Sequence, residues 1–566
     1  MKRIIVSVAL FIVLTFSIFA SNMHEIIPLN SGFYNDIDAL YLMSGNGTPS
    51  NARPWSKSEA LLILNRITYE HLTLLQKRVY TGLYEQVTSN PFLYDRDDFG
   101  FGFGFDLNAE LYWHSNGEQF FIEQDWVYDF VRRKPLLRLR FDFGLSDFGY
   151  IYSDLQYGRN LANANDLTKD FSQDGVGAIV EKGAPGVRTI HSAIYSRSFL
   201  TNMLPFNESY DIDFETPKRA VFSFGGDHWN VNISRDKVSW GNGHSGNFIV
   251  DDHVDFHEFA RFKFFSEHFS YDWLNIFFPT RTSTGEVPDQ SIRLLMAHRL
   301  EFRLWNFLTF ALSENVMYSN DLIDFRYLNP AFIYHNLNNT SMFNAIAHLE
   351  MDVMVSKGLN LYGQYVLDQA RAPNEPDTQA DATGFLAGME YVVEVGPGFL
   401  STSLEAAVTS PVLYRRSYVD FLMFRPYFTH GNPSGPGYVL DFDFIGYKHG
   451  SDVQVLQWDV NYSTLSHVDV GLSIIGLREG KIDIFYSNEG ITAYEGATPS
   501  GPEVRESLII SLNGTYDFPK LFNSLLQISL WGELDWVGRR TFVKASGMYK
   551  DYSNDVQLTM GVGISL

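Results

Sequence analysis

The sequence predicts an all-β fold, a transmembrane antiparallel β-barrel of roughly 16–18 strands with a small N-terminal helical segment. Two observations carry this prediction. Runs of alternating apolar and polar residues recur from residue 98 onward, and many have the length of about ten residues with which a tilted strand crosses a bilayer. An apolar leader precedes them, and the 566 residues include no cysteine. Disulfides therefore cannot hold the exported fold together, and thiolate metal sites are excluded.

Residues 1–20 resemble a secretory signal peptide. Met1-Lys2-Arg3 is basic, the following residues are almost continuously apolar, and Ala20-Ser21 offers a cleavage point. Polar sequence follows at once, which is not typical of a retained helix. No later segment has eighteen consecutive apolar residues, so no membrane-spanning helix is predicted. We therefore expect secretion through the inner membrane and a final location in the cell outer membrane.

Residues 21–97 are predicted to form a helical segment on the periplasmic side. Apolar positions in residues 36–41 recur at helical spacing. Ser56 and Glu59 match a capping box, in which each side chain would satisfy a backbone N–H at the other position. Residues 71–87 have the periodicity of a third helix. This segment is too small to be a confident independent domain.

Residues 98–566 are predicted to form the barrel. Between Phe99 and Trp113 the odd positions are apolar, whereas most even positions are glycine or polar. The run Val556–Leu566 alternates without interruption, and we expect it to close the barrel against Phe99–Trp113. Further alternating runs lie at residues 137–145, 299–312, 385–393, 400–408, 468–474, 508–516 and 526–536.

The connections between these runs favour a membrane barrel over other β folds. Short turns such as Ser356–Gly358 occur beside long polar stretches such as residues 160–217, which is the layout of outer-membrane barrels. Tryptophans stand near strand ends, where an interfacial girdle would lie: Trp113, Trp305 and Trp536. A soluble β-sandwich or propeller is the alternative. Arg138 and Arg140 on the polar face favour a polar lumen instead.

Charge and motifs exclude several classes of function. The chain has 66 acidic and 43 basic residues, so nucleic acid is not an expected partner. No serine, histidine and aspartate order indicates a catalytic triad, and we expect no catalytic residues and no cofactor. Gly241–Gly246 matches the dinucleotide pattern G-x-G-x-x-G, but a β-like sequence follows where a helix is needed. A glycine-rich turn that folds backbone into the barrel mouth is the better interpretation.

Two other kinds of polar cluster permit more than one interpretation. On a strand, four residues of one segment would share a face and could hold a divalent cation: Asp251, His253, Asp255 and His257. They could equally line a solvated lumen or loop and pair with arginines. Basic clusters suit anionic sugars or lipid head groups, or serve only as turn and interface charge: Arg132–Lys134, Arg415–Arg416 and Arg539–Arg540.

Several segments taken together resemble the Wzi-type capsule-assembly outer-membrane proteins. They are Ser31–Gly45, Arg53–Glu59, Trp240–Asp252, His298–Arg303, Leu312–Glu314 and Arg326–Pro330. The resemblance covers much of residues 31–370. It implies a monomeric barrel of about eighteen strands, closed at the periplasmic end by the helical segment. It also implies surface loops that bind exported polysaccharide and help to retain it on the cell.

We therefore predict a non-enzymatic, lectin-like barrel that binds surface or exported polysaccharide in capsule or exopolysaccharide assembly. The candidate loops are residues 240–257 and 326–335. Trp240 and Tyr327 would stack on sugar rings, and four side chains would hydrogen-bond to the sugar: Asn242, His244, Arg326 and Asn329. The expected partners are outer-membrane lipid, the polysaccharide and its export machinery. A porin-like channel or transporter and an outer-membrane enzyme are the rival hypotheses.

Overall fold

The structure is a computed structural model. It describes residues 23–96, 98–158, 188–189, 198–203, 217–278, 292–320, 329, 331, 333–334, 343–369, 381–415, 419–429, 437–464, 468–480, 498–518 and 526–566. The predicted signal peptide, residues 1–20, lies outside the described residues.

Eighteen antiparallel strands form one closed barrel, which confirms the predicted fold class. The strands are β1 (Phe99–His114), β2 (Leu137–Leu145), β3 (Gly149–Tyr157), β4 (Ala220–Gly226), β5 (Trp229–Asp236), β6 (His257–Phe265), β7 (Phe269–Phe278), β8 (Ile292–Leu304), β9 (Leu308–Asn320), β10 (Phe343–Ser356), β11 (Leu359–Gln369), β12 (Ala382–Val395), β13 (Gly398–Thr409), β14 (Val453–Thr464), β15 (Val468–Glu479), β16 (Glu503–Asp517), β17 (Gln527–Val543) and β18 (Met548–Ser565). The barrel closes where β18 pairs with β1, with Gln557 opposite His114 and Ser565 opposite Asp106. The predicted pairing of the last and first strands is therefore confirmed.

The outer wall carries the apolar side chains of the alternating runs. Phe103 and Leu107 on β1 are exposed, whereas their neighbours Gly104 and Asn108 are buried. The tryptophans expected in a girdle are exposed on this wall: Trp113, Trp305 and Trp536. A soluble sandwich would bury this face in a core, so the exposed apolar band is typical of a membrane barrel. Among the described residues, no helix is long and apolar enough to cross a membrane.

The N-terminal segment contains three helices: α1 (Phe33–Ser44), α2 (Lys57–Leu64) and α3 (Leu74–Thr88). Ser56 caps α2 by accepting a hydrogen bond from the Glu59 backbone N–H, as the sequence predicts. The prediction of a full capping box is wrong, because the Glu59 carboxylate instead pairs with Lys263 of β6 at 2.6 Å. A capping box does form at α3, between Thr73 and Gln76. The Glu59 side chain, which was expected to cap α2, therefore attaches this helix to the barrel wall.

The helices cover the end of the barrel where the short turns lie, which we call the short-turn end. The Gly358 N–H donates to the Leu42 carbonyl at 2.9 Å. Gln76 donates to Glu394 at 2.6 Å, and Arg66 donates to the Ser266 carbonyl at 2.7 Å. The opposite end, from which the long connections leave the strands, is the long-loop end.

Three segments of chain enter the lumen on one side. They are the inner segment (residues 46–56), the first inward loop (residues 237–256) and the second inward loop (residues 410–415, 419–423 and 443–452). Ala52–Arg53 pairs with Ser239–Trp240 as a two-stranded sheet inside the barrel. The first and second inward loops are joined by a 2.6 Å hydrogen bond from the Tyr414 hydroxyl to the Phe248 carbonyl. Backbone groups that leave the wall are therefore satisfied inside the lumen.

These segments fill the side of the lumen that is lined by β6–β13, which we call the packed half. Inner side chains of these strands are apolar and buried: Leu274, Leu295, Met317, Ile346 and Leu386. They form one hydrophobic cluster with buried side chains of the inward loops: Phe248, Ile249, Leu413, Tyr414 and Tyr447. Removal of this apolar surface from water stabilises the inward position of the loops.

Candidate functional site

The other side of the lumen, lined by β14–β18 and β1–β5, is called the chambered half. Its inner side chains are mostly polar, apart from an apolar patch near the long-loop end that includes Val455, Leu477 and Ile509. Its inner residues include Glu110, Asp154, Asn232, Glu533 and Gln557. Two cavities occupy it. The upper chamber, of about 540 Å³, lies towards the long-loop end, and the lower chamber, of about 670 Å³, lies below it. Cavities of this size are typical of small-molecule sites.

Residues 122–135, which we call the dividing segment, contribute to the lining of both chambers. Gln557 of β18 fixes the backbone of this segment, because its amide donates to the Asp125 carbonyl at 2.7 Å and accepts from the Val127 N–H at 2.8 Å. Arg132 forms a two-pronged ion pair with Glu533 of β17. The segment therefore belongs to the wall of the chambered half rather than to the packed half.

On its buried side, the dividing segment takes part in a hydrogen-bond network around Glu110. The Tyr128 hydroxyl and the Trp531 indole N–H donate to one Glu110 oxygen at 2.9 and 2.8 Å. The Lys134 ammonium lies 3.5 Å from the centroid of a Trp531 ring, a cation–π contact at the edge of the lower chamber. Burial lowers the pKa of Lys134, although Glu110 opposes this effect. Cations outnumber carboxylates among the residues that line the lower chamber.

The upper chamber presents charged and amide groups at its opening. Gln124 and Arg505 are exposed, and the Arg505 guanidinium pairs with Glu479 at 2.8 Å. Deeper in the chamber, Arg539 pairs with Asp125 of the dividing segment. The chamber thus offers both hydrogen-bond donors and acceptors, which suits a ligand rich in hydroxyl or carboxylate groups.

His253 lies in the upper chamber where the two inward loops meet. Its Nδ1 is 2.9 Å from an Asp251 oxygen, and its Nε2 is 3.6 Å from an Asp443 oxygen. Burial disfavours the charged imidazolium, but the carboxylates of Asp443 and Asp251 outweigh it and raise the pKa of His253 to about 10. His253 is therefore a cation at neutral pH, held between one carboxylate from each loop.

The structure places Trp240 away from any surface. Its ring is fully buried in the hydrophobic cluster, and its indole N–H donates to Asp272 of β7 at 3.2 Å. In this position the ring offers no face to a sugar. The sequence interpretation of Trp240 as a stacking residue took an aromatic residue in a long connection to be exposed, whereas this connection turns inward.

Among the other predicted binding residues, those that the structure describes do not form one site with Trp240. Asn242 donates to Asp352 inside the lumen, and the exposed His244 ring lies 5.8 Å from the Tyr362 ring. Asn329 is exposed and accepts from a nearby backbone N–H. Arg326 and Tyr327 lie outside the described residues.

The described part of the second predicted loop packs on the outside of the barrel. The Tyr334 hydroxyl accepts from the Trp273 indole at 3.2 Å, and its ring lies 4.1 Å from the His298 ring. The two predicted loops therefore lie on opposite faces of the β7–β8 wall, so far as the second is described.

The premise of the predicted metal site is wrong, because residues 251–256 form turns rather than a strand. Asp251 contacts His253, whereas Asp255 pairs with Lys218 at 3.2 Å. His257 is fully buried and packs edge-on against Phe278. Among the residues that the structure describes, no three His, Asp or Glu side chains are grouped as metal ligands would be.

The glycine-rich segment of the first inward loop is a turn inside the lumen, as the sequence interpretation proposes. Gly241 and Gly246 have φ of 123° and 126°, values that favour glycine. A Cβ on Gly241 would lie 2.2 Å from an Asn247 side-chain oxygen. No helix follows this turn in residues 247–256, so the pattern does not form a dinucleotide site.

The residues around the upper chamber were missed by sequence reasoning. Gln124 and Lys448 come from two connections and Arg505 comes from the start of β16. More than fifty residues separate each from the next, and only barrel closure brings them together. Two sequence signals lay near this site: His253, which was considered as a metal ligand, and the basic cluster Arg539–Arg540. The cluster is split by the strand. Its first member faces the chamber and its second faces outward.

Comparison with solved structures supports the fold. The chain is similar to Wzi of Escherichia coli, described as an outer membrane protein involved in group 1 capsule assembly and a carbohydrate-binding β-barrel. The TM-score is 0.55 at 11% identity, over 96% of this chain and 99% of Wzi. OccK3 of Pseudomonas aeruginosa (TM-score 0.38, 7% identity, 82% of this chain and 95% of that one) is also similar. So is OccAB4 of Acinetobacter baumannii (TM-score 0.36, 8% identity, 83% and 98%), but both scores are too low to bear on function.

No protein-family model matches the sequence, and no curated protein matches it either. The structural similarity therefore stands alone, and at 11% identity it concerns the fold. The chain has the fold of the capsule-assembly barrel Wzi, and the resemblance predicted from its sequence is confirmed at that level.

Proposed function

We propose that this chain is a non-enzymatic outer-membrane barrel that binds surface or exported polysaccharide, and that the upper chamber is its binding site. The observation that carries the proposal is a chamber at the long-loop end that has charged and amide groups at its opening and apolar side chains such as Ile475 and Leu477 in its lining, beside a half of the lumen that is filled. The description of Wzi as a carbohydrate-binding barrel supports it. Long loops of outer-membrane barrels face the cell exterior, so the chamber would face the polysaccharide.

Recognition would depend on hydrogen bonds and charge at the chamber opening. The Arg505 guanidinium carries several donors in a planar fork, which matches a sugar carboxylate or a pair of hydroxyl groups. Gln124 adds an amide, and Lys448 of the second inward loop adds an ammonium group to the lining of the chamber. These side chains are exposed or half-buried, so they can exchange water for a ligand.

A porin-like channel is the second candidate function. The packed half opposes it, because the first inward loop crosses from β5 to contacts such as the hydrogen bond between Asn247 and Gln364 of β11. The dividing segment obstructs the chambered half. We expect the purified protein to be silent in planar bilayers, and stable ohmic conductance would favour the channel.

Glycan binding by the purified full chain tests the proposal. The variants Gln124→Ala, Arg505→Ala and Lys448→Ala each remove one group from the chamber opening. We expect Arg505→Ala to weaken binding of the producing cell's own polysaccharide about tenfold, because a hydrogen bond to a charged group contributes about 1.5–3 kcal/mol. Immobilised polysaccharide and surface plasmon resonance give the affinities.

Lys357→Ala is the matched control, since Lys357 is also basic and exposed but lies in the short turn between β10 and β11, at the opposite end of the barrel. Heat-modifiable migration on a gel reports whether each variant is folded. Equal affinity of wild-type protein and all three chamber variants would refute the site. Absence of binding by folded wild-type protein would refute the function.

We also propose, on the same basis, that the barrel acts as a monomer surrounded by outer-membrane lipid and receives polysaccharide from export machinery. These partners follow from the proposed function and from the exposed apolar wall. Cross-linking in intact cells, followed by mass spectrometry, would identify the export proteins that lie beside the long-loop end.

A further inference from the structure

The outer wall of β14–β17 carries three ordered rows of side chains near the long-loop end. Strand register sets these rows, because directly opposed residues of neighbouring antiparallel strands stand side by side. The row farthest from the long-loop end is Trp458, Ile474, Ile510 and Trp536. The middle row is Leu456, Gly476, Leu508 and Gly538. The row nearest to the long-loop end is Gln454, Arg478, Glu506 and Arg540. The wall therefore changes from aromatic and apolar to charged over three consecutive outward positions.

A groove of about 750 Å³ lies on the outer wall along the middle row, where glycine alternates with leucine. The Trp536 ring covers Gly538, where an added Cβ would lie 2.6 Å from it, so the open part of the groove is at Gly476. A Cβ added to Gly476 would meet nothing closer than 3.9 Å, so the space above this residue is open. Leu456 and Leu508 stand on either side of Gly476 and are exposed. The groove thus has an apolar floor at the upper edge of the membrane-facing band.

Two guanidinium groups border the groove on its long-loop side. Arg478 and Arg540 lie on strands that flank β16, and both pair with Glu506, at 3.1 and 2.7 Å. Their side chains remain 43% and 44% exposed, whereas Glu506 is 15% exposed. The single carboxylate holds two cations in fixed positions and leaves a net positive charge at this edge. Arginine forks of this kind match phosphate oxygens.

We propose that this outer groove binds a phosphorylated glycolipid of the outer leaflet, with phosphate at Arg478 and Arg540 and an acyl chain along Leu456, Gly476 and Leu508. The groove faces the bilayer, so its occupant is a lipid. Charge complementarity selects an anionic head group, and the long-loop end selects the outer leaflet. This inference depends on the proposed outer-membrane location and not on polysaccharide binding by the upper chamber.

Native mass spectrometry of the full chain in detergent, with added bisphosphorylated lipid A, tests this inference. We expect the double variant Arg478→Ala/Arg540→Ala to lower the lipid-bound fraction about tenfold or more. Gly476→Leu keeps both arginines but fills the groove, and we expect it to lower the bound fraction as well. Dephosphorylated lipid A and phosphatidylglycerol serve as comparison lipids, and both should bind more weakly than bisphosphorylated lipid A.

Arg505→Ala is the matched control, because Arg505 adjoins Glu506 on the same strand but faces the lumen. We expect this variant to bind lipid like the wild type while it loses polysaccharide affinity. Heat-modifiable migration confirms that each variant is folded. Unchanged lipid binding by the folded double variant, or equal binding of the phosphorylated and dephosphorylated lipid, would overturn the inference. Preference for phosphatidylglycerol would also overturn it.

Discussion

The packed half and the chambered half of this barrel share one pattern of strand pairing but differ in the side chains that face inward. Where β7–β12 present Leu274, Met317 and Leu386 to the lumen, two connections fold in and exclude water. Where β17 and β18 present Glu533 and Gln557, cavities remain. The polarity of the inward side chains of each strand therefore influences whether a neighbouring loop packs against them or leaves a cavity. The proposed function belongs to the half that is not filled.

The largest expected loss of stability comes from a substitution in the hydrophobic cluster of the packed half. Phe248→Ala removes a fully buried ring from the hydrophobic cluster, and we expect it to lower the free energy of unfolding by about 3–5 kcal/mol. Urea unfolding in detergent micelles, followed by tryptophan fluorescence, measures this loss. The control is Ile509→Ala, a half-buried residue facing the upper chamber, for which we expect less than about 2 kcal/mol. Equal losses would show that both halves are packed alike.

A smaller effect is expected where the two halves meet, at His253. Its pKa of about 10 in the folded protein lies above the value of 6.5 of an unperturbed histidine, so protonation stabilises the fold. This contribution is fully present below about pH 6.5 and is lost as the pH rises through about 10. Thermal unfolding of wild-type protein and His253→Gln across this range gives the difference in melting temperature.

We expect the wild type to be more stable than His253→Gln at neutral pH and this advantage to shrink as the solution becomes alkaline. Burial lowers the pKa of the neighbouring His449 and the His253 cation lowers it further, so the difference reports His253 together with the charge coupled to it. An advantage that grows with pH would contradict the assignment of a cation at this position.

The smallest effect on stability is expected in the chambered half. Arg505 and Glu479 form an exposed ion pair, and such pairs contribute about 0.2–1 kcal/mol. Arg505→Ala should therefore leave urea unfolding almost unchanged even though polysaccharide affinity falls. A loss of stability above about 2 kcal/mol would indicate that Arg505 stabilises the barrel wall and does not act only in ligand binding.

Most of the wall could be predicted from the sequence because alternation reports directly which face of a strand meets lipid. Phe99–Trp113 and Val556–Leu566 were predicted as strands, and as neighbours, from this pattern. The same rule predicted a polar lumen throughout. It failed at residues 294–297, Leu-Leu-Met-Ala, where both faces of β8 are buried, the inner one by the inward loops and the outer one beneath Tyr334.

The candidate site could not be predicted, because loop position within a barrel depends on contacts that are distant in sequence. Trp240 was interpreted as a surface aromatic residue, yet its indole reaches Asp272 on the lumen wall. One signal was available in retrospect. Phe248-Ile249-Val250 is an apolar triplet inside a glycine-rich polar connection. Its three consecutive apolar residues do not follow the apolar–polar alternation of a membrane strand. Such a triplet favours a loop that folds into the lumen.

The inner segment constrains the order in which this molecule can assemble. Asn51 donates to Glu350 and Asp352, which lie 299 and 301 residues further along the chain. Its contacts therefore cannot form until the middle of the wall has been synthesised, and long-range contacts of this kind slow folding. The β1–β18 seam joins residues still further apart. Until that seam forms, β1 has an unpaired edge, so the nascent chain needs protection from aggregation over almost its entire length.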